Sequence, residues 1–67
     1  MKVSKFTVPE LEYYRTYCNF IGEERTVFDL RSEGVPLEEI AERLNYTHDG
    51  IKKVSRRIND KINRVNF

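Results

Sequence analysis

The chain has 67 residues, enough for one small domain with a marginal core and too few for a cleft-forming enzyme fold. Hydrophobic content of 39% with 12% aromatic residues supports a compact fold, and no run of about 18 apolar residues offers a membrane span. The net charge of +1 hides an asymmetry: residues 1–46 hold six Lys/Arg against nine Asp/Glu, net −3, and residues 47–67 hold six against two, net +4.

Residues 1–6 read as a loose start, and MKVSKFTVPE has no apolar signal core, so a cytoplasmic protein is expected. Thr7-Val8-Pro9-Glu10 is a helix entry: Thr7 caps, Pro9 sits in the first turn and Glu10 is placed for a capping box. The helix is expected over 8–18, with Leu11, Tyr14 and Cys18 at i, i+3 and i+7 on its inward face. Cys18 is the sole cysteine, so no internal disulfide can form, and it reads as a cytosolic thiol. Cys18 with His48 gives two ligands, too few for zinc, and no cofactor is expected. A second helix over 23–33 turns Val27, Phe28, Leu30 and the stem of Arg31 inward. Its acids Glu23 and Glu24 suit the positive end of the helix dipole, and Gly34 ends it in the left-handed conformation.

The next stretch, LEEIAERLNYTHDGIKKVSRRI, carries the most information. A short helix over 37–44 stops at Asn45, where the turn needs a positive φ. Thr47 caps the last helix, which continues to Val65. Small Ala41 permits close approach of the two helices, and Tyr46 reads as a packed lid on them. Gly50 in the first turn weakens the helix by roughly 1 kcal/mol against alanine, and its missing side chain permits a close approach by the preceding helix or a DNA backbone. The spacing describes a helix-turn-helix unit, whose second helix commonly enters the major groove of DNA. The expected fold class is therefore all-α: a single four-helix helix-turn-helix domain over 1–67, with an N-terminal accessory helix and no β-sheet.

At 100° per residue, Ile51, Val54, Ile58, Ile62 and Val65 fall within a stripe roughly 80° wide. Asp49, Lys53, Arg56 and Asp60 lie opposite, flanked by Lys52 and Arg57. Lys53 and Arg56 can donate to guanine O6/N7 and Asp49 can accept from cytosine N4. Thr47, His48 and Arg57 are better placed for phosphates or groove walls. Plainer readings stand beside these: a solvated face for Lys53 and Arg56, a surface residue for His48, and dipole stabilisation by Asp49. Asp60 can pair with Arg56 and Arg64. Ile62 and Val65 need cover, either from Leu11, Tyr14 and Tyr17 of the same chain or from a second copy; intramolecular cover is favoured slightly.

The string from Phe20 to Ile62 resembles the helix-turn-helix of sigma-70 region 4 and the LuxR-type response-regulator domain. It is also similar to small phage-type helix-turn-helix proteins of Firmicutes. The shared features are E-x-x-V-F-x-L before Glu33-Gly34, then E-E-I-A-x-x-L, a turn, and I-K-x-x-x-x-R-I. The resemblance implies that residues 37–44 position the unit and that the helix from 47 reads DNA. By it, His48, Asp49, Lys52 and Lys53 match the places that meet a promoter element or its backbone. The chain departs from the pattern at Gly50, where a larger residue is usual, and at Asn45. It has one long last helix where a LuxR-type domain has a distinct fourth. No upstream polymerase-binding region is present, so a complete sigma factor is not expected.

The leading expectation is sequence-specific binding of double-stranded DNA and regulation of transcription, with RNA polymerase or a second copy as further partners. The rival is a protein-interaction module whose acidic first three helices dock on polymerase or another regulator. An enzyme is not expected: one His, one Cys and no argued acid–base pair give catalysis no footing.

Overall fold

The computed structural model describes residues 3–65, and every regular element in that range is helical. A 3-10 turn, Val3–Lys5, leads into α1 (Val8–Tyr17), α2 (Glu23–Ser32), α3 (Leu37–Leu44) and α4 (His48–Val65). The four expected helices are present, with ends within one residue of their expected bounds.

Local chemistry fixes most of those ends. Thr7 and Glu10 form the full capping box: the Thr7 amide donates to Glu10 Oε1 at 2.8 Å, and the Glu10 amide donates to Thr7 Oγ1 at 3.4 Å. α2 stops in a Schellman motif. Gly34 sits at φ 89°, its amide donates to Arg31 O, and the Val35 amide reaches back to Leu30 O. Val35 and Leu30 both pack against the core, supplying the apolar contact that accompanies this motif. Asn45 takes the left-handed conformation, φ 59° and ψ 40°, as the turn requires. Thr47 Oγ1 then accepts from the Gly50 amide at 3.0 Å and caps α4.

α4 packs against α1, α2 and α3 and is the centre of the fold. Its buried stripe, Ile51, Val54, Ile58 and Ile62, meets Val27 and Phe28 of α2, Ile40 and Ala41 of α3, and Tyr14 with Cys18 at the α1 end in one core cluster. Rings extend it: Phe6 on Tyr14 at 5.1 Å and Phe20 on Phe28 at 4.8 Å between centroids. Arg15 joins α1 to α2 through Asp29 at 2.9 Å and lies over the Phe28 ring. The radius of gyration, 11.1 Å, matches the about 11 Å of a single packed body this long.

Two expectations need correction. The first residues are not all a loose start, because Val3 is fully buried and its turn packs on α2. Three residues are too few to show a periodicity, so this burial is set by long-range packing alone. Tyr17 does not cover the end of α4: it is 61% exposed and stacks beside Tyr13. Tyr13 supplies the cover in its place, its hydroxyl donating to Val65 O at 3.1 Å. Ile62 and Val65 are therefore packed within the chain, in the core cluster and against it respectively.

Candidate nucleic-acid interface

The inward stripe of α4 dictates what faces out. With Ile51, Val54 and Ile58 at most 2% exposed, the helix cannot roll, so the residues opposite are held toward solvent. His48, Asp49, Lys52, Lys53, Arg56, Arg57, Asp60 and Arg64 are all exposed. Lys52, Lys53 and Arg56 have no ion-pair partner among the described residues, and neither has Asp60, so the expected pairing of Asp60 with Arg56 and Arg64 does not form. On one flank Lys52, Ser55, Arg56 and Asn59 line a shallow groove of about 240 Å³ against Leu37 at the start of α3.

Thr47 and His48 stand at the tip of the unit. The Thr47 hydroxyl oxygen is engaged as the cap acceptor, which fixes its side chain while its own O–H stays available to donate. Gly50 explains the tightness of this corner: a Cβ there would lie 3.0 Å from Thr47 Oγ1 and 3.5 Å from the Tyr46 ring. The close approach is thus to the turn itself. Tyr46 packs as a lid, and its hydroxyl donates to Glu23 Oε1 at 3.0 Å, which pushes its pKa up.

The other flank departs from the sequence reading. Glu24 is the buried charged residue of the core, its side chain 6% exposed. Its Oε1 accepts from Lys61 Nζ and from the Ile21 amide at 3.2 Å, and its Oε2 lies 3.4 Å from Arg57 Nε. Burial pushes the carboxyl up, but the bond from Lys61, the Ile21 amide and the charges of Lys61 and Arg57 outweigh it and hold the pKa below the usual carboxylate range. Lys61 also donates to Asn19 O, so one of the six bases of the +4 segment is internal rather than presented. A signal for Glu24 was present in the chain: Glu24, Val27 and Phe28 stand at i, i+3 and i+4, on one face.

Cys18 is buried in the core, where desolvation pushes its thiol up against the opposing charge of Lys61. Among the described residues no group of three or more His, Cys, Asp or Glu is placed to hold a metal, and no helix is long and apolar enough to cross a membrane. No family model, curated protein or solved structure matches the chain.

Proposed function

We propose that the chain is a sequence-specific double-stranded DNA-binding regulator of transcription that lays α4 in the major groove, with α3 and the turn as the positioning half of a helix-turn-helix. The observation that carries this reading is the outward face of α4: Lys52, Lys53 and Arg56 exposed without an ion-pair partner among the described residues, on a helix anchored along its opposite side. Lys53 and Arg56 take guanine edges and Asp49 a cytosine amino group. Thr47, His48, Lys52 and Arg57 take phosphates.

Titration with a mixed-sequence duplex and with one selected from a random library, at about 50 and 200 mM salt, tests it. The expected result is a steep loss of affinity with salt and a retained preference for the selected duplex. No binding to either at the lower salt overturns it.

A second reading is a docking module for RNA polymerase or another regulator. It is supported by apolar side chains left open at Val8, Tyr17 and Ile21, 61–68% exposed, and by exposed Glu38, Glu39 and Glu42 on α3. In that reading Lys53→Ala with Arg56→Ala leaves partner binding intact.

A further inference from the structure

Lys52, Ser55, Arg56 and Asn59 stand at i, i+3, i+4 and i+7, on one side of α4 over about 10 Å of its length. They line a groove whose far wall is Leu37 of α3. Two other grooves border α4, and both contain acids: Glu23 and Glu24 in one, Asp60 in the other. The groove against Leu37 has two cations and, among the described residues, no carboxylate in its lining. A groove lined by one sign of charge gathers ligands of the other, so this one suits an anion.

Ser55 and Asn59 add what the cations lack. Both are half-buried, and neither side chain has a hydrogen-bond partner among the described residues. The hydroxyls of Thr16 and Ser32, by contrast, turn back on their own helices and donate to Glu12 O and Asp29 O. Ser55 keeps its O–H to give, and the Asn59 carboxamide brings two N–H donors. Neutral donors between two cations match the several acceptor oxygens of a phosphodiester.

We propose that this groove seats a phosphate of the DNA backbone, with Ser55 and Asn59 donating to its oxygens beside the charges of Lys52 and Arg56. The inference rests on the DNA-binding reading above and adds two residues to it. Phosphate contacts fix the register of a protein on its duplex, so the seat sets how Lys53 and Arg56 meet base edges.

Binding is measured for wild type, Lys52→Ala and the double variant Ser55→Ala/Asn59→Ala, with the library-selected and the mixed-sequence duplex, across a range of salt. Alanine is the better helix former at both positions, so folding is not endangered, and thermal melts check it. The double variant should bind both duplexes more weakly by a common factor, roughly tenfold. Its slope of log K against log salt should match wild type, since no charge is lost. Lys52→Ala should lower that slope by about 0.9. The selected duplex is then remade with single neutral methylphosphonate linkages, one position at a time. At one linkage the replacement should cost the double variant less than it costs wild type. Unchanged affinity in the double variant, a loss confined to the selected duplex, or additive losses at every linkage overturns the seat while leaving DNA binding in place. A wild-type chain that binds no duplex overturns both.

Discussion

Glu24 of α2 and Lys61 of α4 form an ion pair at the edge of the core, with side chains 6% and 22% exposed. The pair ties the first turn of α2 to the C-terminal third of the central helix. Removing one partner leaves the other partly desolvated and unpaired, which is the costly way to break such a pair. Glu24→Ala should lower stability by about 3 kcal/mol, the lower end for a buried pair because Lys61 retains some solvent. Urea denaturation measures this, and Glu24→Gln should fall between it and wild type.

The same carboxylate predicts a pH dependence. Its pKa is lowered in the folded state, so its contribution is fully present above the pKa of an unfolded glutamate, about 4.3. That contribution is lost as pH falls through the depressed folded value. Wild-type stability should therefore drop more steeply than that of Glu24→Gln on the acid side of about pH 4. The difference between the two curves isolates Glu24 from the other acids. Parallel curves would contradict the assignment.

Much of the α3–turn–α4 unit was legible in the sequence because its determinants are local. Asn45 and Thr47 each act within one turn of their own position, on the backbone they terminate or cap. Glu24 was half legible. Periodicity put it on the face of Val27 and Phe28, but its acid in a first turn already had a sufficient explanation in the helix dipole. Its partner lies 37 residues away, beyond the reach of any helical spacing. Val3 and Tyr13 were illegible for the same reason: their contacts with α2 and Val65 are tertiary. Of the residues expected to read DNA, Thr47, His48, Asp49, Lys52, Lys53 and Arg56 are all exposed, because the burial of one helix stripe determines the exposure of the other. Arg57 emerged with a second attachment that spacing alone does not contain.

Gly50 should behave unlike an ordinary helix glycine. Propensity alone gives Gly50→Ala a gain of roughly 1 kcal/mol. The added Cβ at 3.0 Å from Thr47 Oγ1 displaces the cap and cancels part of that gain. Thr47→Ala should cost about 1 kcal/mol in the wild-type background and clearly less beside Gly50→Ala. Thermal melts of the four proteins give the cycle, and strict additivity would show that the hydroxyl and the glycine are independent.

Because Ile62 packs within the chain, Ile62→Ala should lower stability by about 2–4 kcal/mol. The wild-type melting temperature should not change with protein concentration. A melting temperature that climbs with concentration would mean that a second copy contributes to the stability of this fold.

The central claim is that the outward face of α4 reads DNA, and one comparison tests it most directly. Wild type and the Lys53→Ala/Arg56→Ala variant are titrated with the same library-selected duplex at one salt concentration. Both positions are exposed and have no ion-pair partner among the described residues, so the variant is expected to keep its fold. Loss of two base contacts at about 1–3 kcal/mol each predicts at least a tenfold weaker complex and a diminished preference over mixed-sequence duplex. Equal affinity and equal preference in the two proteins would contradict the account.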